Sequence, residues 1–316
     1  MQIRYHPSAR LDELKERPDL LAVISYGEKV AWRGACPRLF IPLAAHPPGL
    51  CEIMVGGPAS YGEVGLVRYA HDGEWLFAAL TTAEQGVFQD IVADSYDRIL
   101  ETMDRLGYPC LIRAWQHFPD IHRIEGGLER YRQFNRGRHR ALGPYLAAGG
   151  VRPAATCVGS TGPGLTIYVL ARRRPGIPIE NPRQIAAYRY PAIYGPQPPD
   201  FVRAMKVEDA DGWSLWISGT AAIVGHESRA PGDLAAQMRE TFTNLDAVVT
   251  QAGFGPQAKV VATKVYLRAG TAAMLPGMWQ DAPVLYLRGD ICRAELAVEI
   301  EALVRAPSVL HGPDTR

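Results

Sequence analysis

The sequence predicts an α+β protein made of two related halves, with mixed sheets packed against helices. Two long amphipathic helices and the matching segments that follow them lead to this reading. In the first helix Phe88, Ile91, Val92, Tyr96, Ile99, Leu100, Met103 and Leu106 recur at spacings of three and four, and Gly107 supplies a left-handed stop. The second runs from an N-cap near Asp233 through Leu234, Met238, Phe242, Leu245 and Val249 to Gly253. Leu106-Gly-Tyr after the first matches Ala252-Gly-Phe after the second, and each is followed by a strand and then a closing strand. The halves read as copies of one β-α-β unit.

Taken in order, Leu21–Tyr26, Leu39–Leu43 and Trp75–Leu80 are short apolar runs broken by Gly and Pro, the pattern of strands joined by turns. Cys110–Trp115 continues as a strand after the first helix. The basic run Arg130–Arg140 follows as a helix entered after Gly127, and Leu165–Ala171 closes the first half as a strand. Residues 172–200 hold seven prolines, which exclude both helix and central strand. So long a connection, carrying Tyr188, Tyr190, Tyr194, Arg183 and Arg189, is expected to line a site. Trp213–Ser218 and Lys259–Leu267 are strands of the second half, with a turn at Gly219-Thr220.

The closing strand of the second half carries the most chemistry. Along Val298-Glu-Ile-Glu-Ala302 side chains alternate between faces, so Glu299 and Glu301 share one face and Val298, Ile300 and Ala302 the other. A carboxyl within an apolar run has a raised pKa, the property of a general acid. The same pattern also suits an edge strand whose charges discourage aggregation. Aligned on Ala171 and Ala302, however, the first half has Tyr168 and Leu170 where the second has Glu299 and Glu301. The architecture does not require the acids, which favours a functional reading of Glu299.

Composition narrows the rest. With 316 residues, 47% of them hydrophobic, the chain suffices for two domains and a substantial core. Its 34 Lys and Arg balance 33 Asp and Glu, and no basic tract exceeds Arg172-Arg173-Arg174, so no nucleic-acid partner is expected. No run is long and apolar enough to suggest a membrane partner, and the N-terminus lacks a signal-like apolar segment, so a cytoplasmic location is expected. Five cysteines without a C-x-x-C pair and eight scattered histidines argue against a disulfide framework and against a metal. His226-Glu-Ser228 lacks the elbow of a hydrolytic serine, and Gly159–Gly164 lacks the Gly-Lys-Ser/Thr of a phosphate loop.

From Phe201 to Val304 the chain resembles the RidA (YjgF) fold, which is also the chorismate mutase-like fold. The resemblance rests on Trp216-Ile-Ser-Gly-Thr, Gln237 with Asn244-Leu, Ala252-Gly, Val260–Leu267 and the terminal Val-Glu-Ile-Glu-Ala. More specifically it resembles the chorismatases of that superfamily. The matching motifs are Glu129-Arg-Tyr-Arg-Gln-Phe134 with Gly137-Arg138, Asn181–Pro191, Tyr194-Gly-Pro196, Phe201-x-Arg-Ala204 and Gly219–Ser228. They cover some two thirds of the chain in order. The resemblance implies a degenerate RidA-like domain with a helical insertion over 1–180 and a RidA-like catalytic domain over 181–316. RidA imine deaminases carry an arginine on the penultimate strand, where this chain reads Asp281-Ala-Pro-Val-Leu, and the chorismatase Asn-Tyr pair after Trp115 is Gln116-His117 here.

The resemblance implies release of pyruvate from chorismate, begun by protonation of its enol ether, with Glu299 as general acid. Chorismate carries two carboxylates, for which arginine forks are the fitting anchors. Arg138 and Arg203 are the candidates, with Tyr131 and Tyr188 as neutral donors and Ala204, Gly219 and Thr220 shaping the site. Backbone donors of the Gly219-Thr220-Ala221 turn are a further candidate. Cys292 is the candidate second proton donor, favouring 3- or 4-hydroxybenzoate over a dihydroxycyclohexadiene carboxylate. No cofactor is required. A RidA-type imine hydrolase and a non-catalytic small-molecule binding protein stand as alternatives, and the oligomeric state, monomer or trimer, stays open.

Overall fold

The computed structural model describes residues 1–269 and 276–307. The N-terminal strands are β1 (Gln2–Pro7), β2 (Leu20–Tyr26), β3 (Arg38–Ile41), β4 (Ala44–His46) and β5 (Leu50–Val55). Four of them form a sheet in the order β1-β5-β2-β3. One face of this sheet packs Val23, Ile53 and Val55 on Leu11 and Leu14 of a short 3-10 helix, while Ile24, Tyr26 and Met54 join the central core.

The first repeated unit comprises β6 (Ser60–Val64), β7 (Val67–His71), β8 (Trp75–Thr82), α1 (Phe88–Leu106), β9 (Cys110–Pro119), a two-stranded hairpin of β10 (Ile124–Glu125) and β11 (Leu128–Glu129), α2 (Arg130–Ala147), β12 (Ala154–Ser160) and β13 (Leu165–Arg172). The second comprises β14 (Ile177–Ile179), β15 (Ala204–Asp209), β16 (Gly212–Thr220), the paired β17 (Ile223–Val224) and β18 (Glu227–Ser228), α3 (Leu234–Gln251), β19 (Lys259–Leu267), β20 (Val284–Arg288) and β21 (Val298–Pro307). The sheet orders are β12-β9-β13-β8-β7-β6 and β4-β20-β19-β21-β16-β15-β14. Apart from β4 at the edge they coincide, down to the parallel pairs β9/β12 and β19/β20. The internal duplication therefore holds in the topology, and α2 is the helical insertion of the first copy.

Alternation along the strands sorts the core into layers. Leu76, Ala78 and Leu80 of β8 pack on Phe88, Val92, Tyr96 and Ile99 of α1, while Trp75, Phe77 and Ala79 face inward. In the second unit Val298, Ile300, Ala302 and Val304 pack on Phe242, Leu245 and Val249 of α3. The two inner faces meet, with the corresponding tryptophans Trp75 and Trp216 at 5.6 Å between ring centroids. Helices thus cover the outside of a double sheet.

The local signals read from the sequence act as expected. Gly107 closes α1 with φ 75°, and Asp233 caps α3 by accepting the Ala236 N–H at 2.9 Å. Gly137 lets α2 cross α1 closely, since a β-carbon there would stand 2.2 Å from the Gln89 carbonyl oxygen. One detail differs: Gly219 and Thr220 end β16 rather than forming a turn, and the register against β21 shifts by one residue between Ile217 and Thr220. That bulge re-aims the strand end beside Glu299.

Candidate active site

A cavity of about 380 Å³ opens where the inner faces diverge, between the start of α2, the Pro/Tyr connection and β21. Glu299 and Gly219 form its base, and Tyr131, Arg203, Cys292 and Arg293 are on its walls. Tyr190, Ile193, Tyr194 and Pro199 bring the proline-rich connection over it, as its length and aromatic content lead one to expect.

Glu299 is 4% exposed and makes no hydrogen bond or ion pair among the described residues. Burial, then the neighbouring Glu301, pushes its carboxyl up to about 8, against the opposing pull of Arg113 and Arg203. Its fit against the bulge is tight: a β-carbon on Gly219 would stand 1.9 Å from Glu299 Oε1. The Gly219 N–H donates to Thr156 Oγ1 at 2.9 Å, so this donor is occupied and not offered to a ligand. Burial pushes the Cys292 thiol up to about 12, with Glu299 adding to the shift, so it remains a thiol near neutrality. Tyr131 is likewise held well above the usual phenol value, chiefly by burial.

Two guanidiniums on the wall lack a carboxylate partner among the described residues. Arg203 donates to Tyr190 Oη at 2.7 Å and to the Ile185 carbonyl at 3.1 Å, leaving its buried Nε unpartnered. Arg293 donates to the His226 carbonyl at 2.8 Å and to Ser228 Oγ at 3.1 Å, and its buried Nη2 has no partner. It lies 3.9 Å above the Tyr194 ring. The other wall cation, Arg132, is already paired with Glu129 at 3.1 Å.

Not every residue singled out in the sequence reaches the wall. Arg138 is 2% exposed and lies behind it, donating to Asn135 Oδ1 at 3.1 Å and stacking 5.1 Å from the Phe134 ring centre. Tyr188 points instead to Arg152, whose guanidinium lies 4.5 Å from its ring centre. Ala204 faces the α3 core, and the Thr220 hydroxyl donates to the Ser218 carbonyl at 2.9 Å, within its own strand. Strand alternation and the β16 bulge account for Ala204 and Thr220, whereas Arg138 lies on α2 and Tyr188 in a 3-10 turn of the connection. Tyr190 and Tyr194 reach the wall as the connection's aromatic content predicts, whereas Arg293 is a wall residue that was not singled out in the sequence. Position next to Cys292 was the available signal for Arg293, and nothing in the pattern of a strand-to-strand loop distinguishes an arginine facing a cavity from one facing solvent.

Beneath the cavity, Glu301 is 4% exposed and fully engaged. Lys264 Nζ lies 2.8 Å from it, Arg113 Nη2 lies 2.9 Å away, and the Trp115 indole donates at 2.7 Å. Although burial alone would raise its carboxyl, Lys264 and Arg113 hold it down at about 2.

A buried carboxyl pushed up to about 8 shares this cavity, on a duplicated α+β frame, with two guanidiniums that have no carboxylate partner among the described residues. The family model described as "Chorismatase FkbO/Hyg5-like, N-terminal" matches residues 53–171. A 3-hydroxybenzoate synthase of Streptomyces hygroscopicus is 36% identical over 78% of this chain and 78% of its own length. A chorismatase of Streptomyces rapamycinicus is 35% identical over 78% of this chain and 80% of its own. A chorismatase crystal structure at 1.08 Å resolution superposes with a TM-score of 0.84 at 30% identity, covering 96% of this chain and 97% of that one. The chain belongs to the chorismatase family.

Proposed function

We propose that this protein is a chorismatase that cleaves the enolpyruvyl ether of chorismate, releasing pyruvate and forming 3- or 4-hydroxybenzoate. The observation that carries the reading is one cavity holding the buried Glu299, its carboxyl pushed up to about 8, together with Arg203 and Arg293, two guanidiniums without a carboxylate partner among the described residues. Two unpaired forks suit a substrate with two carboxylates. Glu299 gives its proton to the methylene carbon of the enol ether, and the resulting oxocarbenium ion draws the ring C–O electron pair into the pyruvate carbonyl. Loss of the ring proton from the hydroxyl-bearing carbon then gives 4-hydroxybenzoate, whereas attack of that hydroxyl on the vacated neighbouring carbon before the proton leaves gives 3-hydroxybenzoate; either way a proton returns to Glu299. Chorismate's atoms divide between pyruvate and hydroxybenzoate with no water consumed. Attack of water on the side chain would instead give the dihydroxycyclohexadiene carboxylate.

Cys292 is the proposed proton donor that favours the aromatic route, supported by its place on the same wall and its neutral thiol. Tyr131 shapes the ring site as a neutral donor. Arg138 is set behind the wall, bonded to Asn135 and packed on the Phe134 ring, where it supports the α2 side of the site. We read the degenerate RidA-like unit as 60–172 and the catalytic unit as 177–307, in place of 1–180 and 181–316, because β1, β2, β3 and β5 form a sheet outside both and β14 pairs into the second. No described helix is long and apolar enough to cross a membrane, and the five cysteines are free thiols, which supports work in a reducing compartment such as the cytoplasm.

Purified protein with chorismate is the direct test, with pyruvate followed through lactate dehydrogenase and ring products by chromatography. Wild type is expected to release pyruvate and Glu299→Gln to lose it by roughly 10²–10⁴-fold. Cys292→Ala is expected to move product from hydroxybenzoate toward the dihydrodiol. Folded wild type that releases no pyruvate overturns the reading.

A further inference from the structure

The inward face of β21 carries both carboxyls toward the first unit, and a group of fully buried charges closes around Glu301 alone. Arg113 and Lys264 are opposite Leu170 and Glu301 in their closing strands, equivalent places in the two copies, and both reach Glu301. Two cations on one carboxylate would leave a net positive charge beside Glu299. Lys264, however, also meets Glu52 Oε2 at 2.9 Å, and the same oxygen accepts the Tyr26 hydroxyl at 2.8 Å. Both contacts donate to that one oxygen, while the buried Glu52 Oε1 has no partner among the described residues. Glu52 is 0% exposed, belongs to β5 of the N-terminal sheet outside both copies, and is absent from the cavity wall. With Glu52 included, the two acids and two bases sum to zero.

We propose that Glu52 is a positioning residue for this reaction: by cancelling Lys264 it withholds from Glu299 the positive field that would ionise it, so the acid meets its substrate still carrying a proton. The inference rests on Glu299 being the general acid. Charges separated by buried protein rather than by water keep much of their mutual influence, which is why a carboxylate on another sheet can matter. The other ionisable groups around the cluster add little. Tyr5, Tyr26, Tyr168 and Tyr266 are all pushed above the usual phenol range by burial, and His117 is pushed down to about 3, so all are neutral. On the Glu299 side Tyr131, Cys157 and Cys292 are neutral for the same reason, and Arg293 and Glu295 act on Cys292 in opposite directions. Arg113 and then Arg203 pull Glu299 the other way, and Arg138 is a further cation on that side, opposing the rise of Tyr131 and Cys157.

The test is the pH–rate profile with chorismate, whose alkaline limb falls as the general acid deprotonates. Removing a negative charge favours the Glu299 carboxylate, so Glu52→Gln is expected to move that limb down by about one pH unit. Lys264→Gln should move it up, and the charge-balanced Glu52→Gln/Lys264→Met pair should return it toward wild type. A purely structural role lowers kcat without moving the limb and is not relieved by a second lesion. An unmoved limb together with an unshifted Glu299 carboxyl in folded Glu52→Gln, or a double variant no closer to wild type, overturns the proposal. If Glu52→Gln does not fold, Lys264→Gln and the double variant carry the same test. Infrared titration of the Glu299 carboxyl without substrate, taken as the difference from Glu299→Gln in each background, separates the two readings. A carboxyl that shifts while the rate limb stays put supports the role of Glu52 and removes Glu299 as the acid; a carboxyl that does not shift overturns the role of Glu52.

Discussion

Glu299 and Glu301 stand two residues apart on one face of β21, and their surroundings drive them to opposite charge states, about 8 for the first and about 2 for the second. The difference lies in partners rather than burial, since each is 4% exposed. Glu301 has Lys264, Arg113 and Trp115, and these leave no donor for Glu299.

This arrangement has a consequence for stability. A carboxyl whose folded pKa is raised from 4.5 to about 8 favours the fold fully below pH 4.5. That contribution is lost as pH rises through the interval to about 8 and beyond. Glu299→Gln removes the dependence, so its stability relative to wild type should improve by roughly 2–4 kcal/mol between pH 5 and pH 9. Urea midpoints at the two pH values check it. A constant offset between the proteins would mean that Glu299 is not held protonated.

Gly219→Ala should separate activity from folding. Its β-carbon would displace the Glu299 carboxylate end, with Oε1 at 1.9 Å and Cδ at 2.7 Å, whereas the glycine's own backbone is not in the left-handed region. Because the displaced atoms are the far end of a side chain, the loss of stability should stay near ~1 kcal/mol, while misplacing the acid should lower kcat about 10²-fold. Thermal unfolding and pyruvate release, measured together, decide it. Wild-type kcat would show that the acid's position is not critical.

The fold was legible in the sequence because its signals are local: two helical stripes, their glycine stops, and a closing strand whose alternation set Glu299 apart. The Glu299–Glu301 face was likewise visible, but its destination was not. Nothing local says that the carboxylate face of β21 meets another sheet rather than solvent, because that depends on Arg113, Lys264 and Glu52, which come from three sheets. The N-terminal strands were recognised as strands, yet their assembly into a separate sheet, with β4 passing to the edge of the second unit, rests on long-range pairing. The motif ranks Arg138 above Arg203 as an anchor, and only the location of the cavity sets the two apart, since a helix face and a strand end look alike in sequence.

The two arginines therefore give opposite expectations. Arg203 is on the cavity wall with an unpartnered Nε, so Arg203→Met should raise KM for chorismate by roughly 10–100-fold, the loss of one charge-assisted carboxylate contact. Arg138 is packed between Asn135 and the Phe134 ring behind the wall, so Arg138→Met should act mainly on stability, lowering it by about 1–3 kcal/mol with a smaller change in KM. Steady-state kinetics on both variants, paired with urea unfolding, read the two effects separately. Should Arg138→Met raise KM more than Arg203→Met while remaining as stable as wild type, Arg138 would be the carboxylate anchor, and the α2 side of the cavity would have to move toward the substrate to let it reach.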